Sequence, residues 1–169
     1  MGTIAHYELY GVIDDDQLRN LLCFIQNDLS ESSSLLEVRI CSHGGSVSIG
    51  LAMAELLREV SIRIRTVNMS NVDSSAIMVY ASGDDRMCYS HSGFFIHEVG
   101  KECRGTKTIR ELQHMIEEIK FDTDRIISFL SNRTGRPSEL WRKYMNEGVV
   151  LSAVEAQELG LVTGIISHA

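Results

Sequence analysis

Strand-patterned and helix-patterned runs alternate along most of this chain, and glycine or small polar residues stand where one gives way to the other. Leu36–Cys41 alternates apolar and polar residues and reads as a strand that ends at a Gly44-Gly45 turn. From Ser46 a helix follows, with Ile49, Leu51, Ala52, Met53, Leu56 and Leu57 apolar nearly all round. The pattern repeats at Ser61–Met69, an alternating strand, and Ser75–Ala81, a short apolar helix. Upstream, residues 7–13 read as a strand. Asp14-Asp15-Asp16 caps a helix to about Asn27, with Leu18, Leu21, Leu22 and Ile25 on one face, and Ser30 to Ser34 form a loop. Arg86–Tyr89 and Gly93–Ile96 are further strands. Strands separated by helices need crossover connections, which are right-handed, so the fold class is α/β.

Residues 106–131 are the longest periodic stretch. Ile109, Leu112, Met115, Ile116, Ile119, Thr123, Ile126, Ile127 and Leu130 recur at the helical period. A stripe of that length exceeds what one small core readily covers, so part of it is expected to meet another subunit; the alternative is a helix lying along its own domain. Gly135 and the only proline, Pro137, break the chain; a helix from Ser138, the segment Leu151–Gly160 and a strand at Leu161–Ile166 follow. No linker or internal repeat is evident, and the 169 residues are read as one domain, 1–169, able to bury roughly 70% of the unfolded surface.

The net charge of −7 argues against a nucleic-acid-binding surface, which would be basic. Cys23, Cys41, Cys88 and Cys103 form no C-x-x-C pair and no metal-ligand spacing; Cys23 and Cys41 are read as small core residues of a protein in a reducing compartment. No basic region followed by an apolar run opens the chain, and no apolar stretch reaches the length of a membrane span. The expectation is a cytoplasmic protein with no metal, no cofactor and no membrane contact.

Three short segments carry the chemistry: Ser-His-Gly-Gly-Ser-Val at 42–47, Asp-Ser-Ser-Ala-Ile-Met at 73–78 and Phe-Phe-Ile-His at 94–97. Acyl transfer needs a nucleophile, a base within hydrogen-bond reach and donors aimed at the developing oxyanion. Ser74 opens an apolar helix, where backbone N–H groups favour negative charge; it reads equally as an N-cap, a role open also to Asp73 or Ser75. Gly44-Gly45 is either a plain turn or a backbone able to direct an N–H at a substrate oxygen. His97, closing an apolar strand, is either a satisfied polar group or a base.

In their order, S-x-G-G-S-V, D-S-S-A-I-M-V-Y-A-S-G-D, F-F-I-H and finally L-S-A-V-E-A-Q-E-L-G-L-V, these segments resemble the Clp protease proteolytic subunit family over roughly residues 7–166. The resemblance implies a ClpP/crotonase-like ββα superhelix with a protruding handle helix at 106–131. It implies Ser74 as nucleophile, His97 as general base, and Gly45 and Ser75 as the oxyanion-hole amides, with no metal. It further implies self-association into heptameric rings or a tetradecamer, a ring ATPase unfoldase as partner, and polypeptide substrates cleaved in an enclosed chamber.

The chain departs from that pattern at named positions. Gly148 stands where the family carries its catalytic acid, three residues before the leucine of L-S-A, with Asn146 and Glu147 as neighbours that could substitute. Asn146-Glu147 replaces an acid–arginine pair that links ring contact to site assembly, His43 replaces the proline before Gly-Gly, and Glu98-Val99 replaces Gln-Pro. The family's N-terminal segment before the first strand is not represented. The short Gly83–His97 stretch is similar to capsid-maturation Clp-like proteases of phage. Besides an active endopeptidase, two readings therefore stay open: a weak or inactive subunit in mixed rings with an active paralogue, or a capsid-maturation-type protease. An acyl-CoA-processing enzyme of the crotonase fold ranks below these.

Overall fold

Strands β1 (Thr3–Ile13), β2 (Ser33–Gly45), β3 (Arg63–Val72) and β4 (Asp85–Tyr89) lie side by side in chain order, each parallel to the next. Helices α1 (Asp15–Cys23), α2 (Val47–Glu59) and α3 (Ala76–Ala81) make the three crossovers between them. Each crossover advances the chain by one strand in the same direction, so right-handed connections place all three helices on one face. There α1 packs on α2, and α2 on α3. The result is the α/β class anticipated from the alternation of patterns, in the superhelical form that the resemblance implied. The computed structural model describes residues 2–167.

The remainder hangs on this staircase. β5 (Gly93–Ile96) leaves the main sheet, touching β3 at one bridge, Asn71 with Gly93. It pairs antiparallel with β6 (Val149–Ser152), Phe95 opposite Val150 and Ile96 opposite Val149. Between them run α4 (Ile109–Thr134) and α5 (Ser138–Glu147); α6 (Ala153–Glu158) then leads to β7 (Gly164–Ile166), which adds to β4 in parallel.

Local chemistry explains the helix starts. Asp14 accepts the Gln17 N–H at 3.0 Å, Ser46 faces the Ile49 N–H, and Thr108 and Ser152 form reciprocal capping boxes with Glu111 and Glu155. All six residues of α3 are buried, which accounts for its apolarity on every side. Its approach to α2 depends on Gly50, where a Cβ would lie 2.8 Å from the Ser75 carbonyl oxygen. At the other end, Arg133 of α4 donates to the carbonyls of Ala81 and Gly83, at 2.7 and 2.8 Å, and so satisfies the orphan acceptors of the α3 C-terminus.

Several boundaries differ from expectation. The long helix begins at its Thr108 cap and ends at Gly135, whose φ of +69° is a left-handed stop; only its C-terminal half, through Ile126, Ile127, Phe129 and Leu130, is buried. α1 passes into a π-helical turn at Phe24–Asp28. Ser33 and Ser34 belong to β2 and not to a loop, and Gly44 and Gly45 are the last residues of that strand. Leu151–Gly160 divides between β6 and α6, and the C-terminal strand is confined to Gly164–Ile166. Cys23 is exposed and Cys41 half-buried, so neither is a core residue; the buried thiol is Cys88, on β4 between β3 and β7. No helix is long and apolar enough to cross a membrane, and no cluster of potential metal ligands occurs among the described residues.

Candidate active site

Parallel strands with one-sided crossovers end at a common edge, and this edge collects the three chemistry-bearing segments. Ser42 at the end of β2 pairs with Val72 at the end of β3, and Gly45 pairs with Ile13 of β1. β5, which delivers His97, is joined to β3 beside the same edge.

Ser74 occupies a left-handed backbone conformation, φ 52°, the one non-glycine with positive φ among the described residues. Such a conformation costs on the order of 1 kcal/mol and persists only where neighbours enforce it. Here the Ser74 N–H donates to the Phe95 carbonyl at 2.9 Å, while the Ile77 N–H donates to the Ser74 carbonyl at 3.1 Å. The hydroxyl caps nothing and meets no protein hydrogen-bond partner among the described residues. The residue that leads into α3 is Ser75, whose side chain makes no capping bond either. Its hydroxyl is buried without a partner, and its N–H reaches no acceptor among the described residues.

The glycines set the opposite wall. At Gly44, φ is +90° and a Cβ would fall 2.7 Å from the Ser74 Cβ and 3.1 Å from the Ser75 nitrogen. A side chain at position 44 would therefore cover the Ser75 amide. At Gly45 a Cβ would fall 2.3 Å from the Ile13 carbonyl oxygen. With the Ser46 N–H donating to Ile13 at 2.8 Å, strand alternation turns the Gly45 amide away from β1, toward β3. The Gly44 amide is already engaged by the Ser42 hydroxyl at 3.0 Å. Reading the pair only through Gly45 misses Gly44, although the doubled glycine was its signal.

His97 is half-buried, stacked on Phe95 with ring centroids 4.7 Å apart and 28° between planes. Its Nδ1 lies 2.8 Å from the carbonyl oxygen of Glu98. A carbonyl only accepts, so Nδ1 carries the proton and Nε2 of the neutral ring is the free acceptor. Ser74 and His97 line one narrow crevice, together with Ile77, Ile96, Ile126 and Met145. No hydrogen bond joins the two side chains in this state.

Among the described residues, no carboxylate bonds to His97. The β5–β6 register, carried one residue past Ile96 and Val149, sets Gly148 opposite His97. Gly148 ends α5 in a left-handed conformation, φ +65°, and offers no side chain. Glu147 pairs loosely with Lys143 at 3.9 Å, and neither it nor Asn146 reaches the imidazole. The carboxylate that does lie at this edge is Asp73. Its Oδ1 accepts the Phe95 N–H at 3.0 Å and its Oδ2 bonds His43 Nδ1 at 2.9 Å.

The family model for Clp protease matches residues 9–169. The chain belongs to the Clp protease family. Its curated relatives include the ATP-dependent Clp protease proteolytic subunit of Chlorella vulgaris, 31% identical over 154 residues that cover 88% of this chain and 75% of that one. Proteolytic subunit 1 of Gloeobacter violaceus is 27% identical over 158 residues, covering 91% and 79%. Among solved structures, a ClpP1 mutant from Listeria monocytogenes superposes with a TM-score of 0.85 over 96% of this chain and 91% of its own, at 22% identity. That likeness establishes the fold. Within the Clp protease family, then, this chain brings Ser74, Ser75, Gly45 and His97 to one edge, and leaves the position opposite His97 to a glycine.

Proposed function

We propose that this Clp protease family member is a serine endopeptidase that cleaves unfolded polypeptides, with Ser74 as nucleophile and His97 as general base. The observation that carries the reading is the tautomer imposed at His97: with Nδ1–H held by the Glu98 carbonyl, Nε2 is the basic nitrogen in the crevice that Ser74 shares. Rotation of the unpartnered Ser74 hydroxyl toward Nε2 closes the pair, as apo sites commonly require. Ser74 Oγ then attacks the scissile carbonyl while Nε2 takes its proton. The carbonyl oxygen becomes the oxyanion, received by the Gly45 and Ser75 amides. Collapse expels the amine, to which Nε2 returns the proton, and water releases the acyl group by the same steps.

The Glu98 carbonyl orients the ring but carries no full charge to stabilise an imidazolium, so turnover is slow beside a complete triad, by up to about 10⁴-fold. The exposed apolar stripe of α4 supports self-association into heptameric rings or a double ring, with a ring ATPase feeding the chamber; "ATP-dependent" in the relatives' names supports that partner. A cytoplasmic site of action fits this role.

A fluorophosphonate probe tests the reading. Mass spectrometry is expected to find the adduct on Ser74, lost in Ser74→Ala and slowed on the order of 10³-fold in His97→Ala. No adduct at Ser74 in any assembly state overturns the assignment.

A further inference from the structure

Asp73 is buried, its side chain only 9% exposed, and a buried carboxyl group needs hydrogen-bond partners. Its position before α3 suggests a cap, yet it caps nothing with its side chain: the Ala76 N–H goes to the Asp73 backbone carbonyl at 3.1 Å. Both carboxylate oxygens are turned instead to other segments. Oδ1 takes the Phe95 N–H, and the Phe95 carbonyl takes the Ser74 N–H, so residues 73 and 74 clamp Phe95 from both of its backbone groups. Phe95 stands two residues before His97 and supports its ring. Oδ2 takes His43, the residue before the glycine pair, and the Asp73 N–H donates to the Ser42 carbonyl at 2.9 Å. One carboxylate thus touches the strand that carries the histidine and the strand that carries the glycines, and it is covalently next to Ser74.

We propose that Asp73 is a positioning residue for the acyl-transfer site, holding the nucleophile turn, the His97 strand and the glycine strand in register, with His43 as its arm on the glycine side. This rests on Ser74 being the nucleophile. The acid of this site has a structural task in place of an electronic one: it fixes where the base, the nucleophile and the oxyanion donors stand, and does not touch the imidazole of His97. Displacement of such groups by an ångström costs about 10²-fold in rate. The His43 side chain, 87% exposed as a whole, contributes this bond and little packing, which separates its role from general stability.

The test pairs labelling with amide exchange in the full-length protein. Asp73→Ala is expected to slow fluorophosphonate labelling of Ser74 about 10²-fold and to speed hydrogen exchange at 42–46 and at 93–97. Asp73→Asn, which keeps an acceptor for the Phe95 N–H, restores protection at 93–97 and part of the labelling rate. His43→Ala is expected to slow labelling about tenfold with exchange raised at 42–46 alone, and His43→Asn, which keeps a donor at the Nδ1 position, to recover it. In peptide hydrolysis these losses fall on kcat and leave KM in place. If Asp73→Ala does not fold, the two His43 variants decide. Labelling within twofold of wild type in His43→Ala, or equal loss in His43→Ala and His43→Asn, overturns the proposal. Absence of labelling in the wild-type protein instead overturns the Ser74 reading, and this role with it, whatever the exchange data show.

Discussion

A Cβ built on Gly148 would meet one neighbour, the ring edge of Phe95 at 3.8 Å, and that ring lies flat against His97. The position opposite His97 is therefore open to a side chain. Gly148→Asp is expected to raise peptide hydrolysis and Ser74 labelling on the order of 10²-fold, because a carboxylate there can hold the imidazole and stabilise its charged form. The left-handed φ of +65° makes the substitution cost about 1 kcal/mol, the least that any side chain pays there, since aspartate and asparagine tolerate this conformation best. Gly148→Ala carries the strain without the charge and is expected to show no gain. If Gly148→Asp does no better than Gly148→Ala, the lack of a carboxylate at 148 does not limit this site.

Ser75 separates a backbone role from a side-chain role. Its hydroxyl is fully buried and unpaired against α2, while its N–H is the free donor. Ser75→Ala keeps the amide and removes an unsatisfied group whose burial costs about 1–3 kcal/mol. Unchanged kcat/KM with a raised Tm is the expected result. A fall in kcat without loss of stability would assign the hydroxyl a part in catalysis.

Much of this was legible from residue order alone, for a physical reason. In a parallel sheet with short one-sided crossovers, whatever follows each strand arrives at the same edge, so the glycines after Cys41 and the serine after Val72 had to be neighbours; His97 was tied to them only by the family resemblance, because β5 leaves that sheet. Gly93–Ile96 could be read as a strand from four residues because glycine and histidine bound an apolar run. The Asp73 bonds were not legible, because Phe95 lies 22 positions away and its recruitment depends on β5 leaving the main sheet. The Glu98 carbonyl was equally hidden, since a backbone acceptor has no sequence signature. Cys23 and Cys41 were misplaced because apolar neighbours in the chain do not say which side of an element faces solvent.

The left-handed turn at Ser74 makes a stability prediction independent of any substrate. Glycine adopts φ 52° freely and alanine does not, so Ser74→Gly is expected to be about 1 kcal/mol more stable than Ser74→Ala in urea unfolding, with neither variant labelled by the probe. Equal stabilities would mean that the turn relaxes once the serine is gone.

The N-terminal half of α4 leaves Ile109, Leu112 and Ile116 exposed at 77, 43 and 50%, an apolar stripe at helical spacing. A charge in that stripe would be desolvated in any subunit contact built on it. Ile116→Glu is expected to shift sedimentation from the assembled particle toward smaller species, with the far-ultraviolet spectrum unchanged. An unchanged particle would place the contact elsewhere.

Cysteine reactivity reports on the core beneath the site. Burial pushes the Cys88 thiol up to about 11, so only about one molecule in a thousand carries the thiolate at pH 8. Steric protection in β4, between β3 and β7, acts in the same direction. Cys23 and Cys103 are exposed and without disulfide partners. Treatment of the native protein with an alkylating agent at pH 8 is expected to modify these two within minutes, Cys41 more slowly, and Cys88 only as denaturant passes the unfolding midpoint. The rate at Cys88 then measures global opening, and its dependence on denaturant should track the unfolding curve. Modification of Cys88 at the pace of Cys103 would mean that the β3–β4–β7 region opens locally, and the sheet that carries Ser74 would be far less rigid than its packing implies.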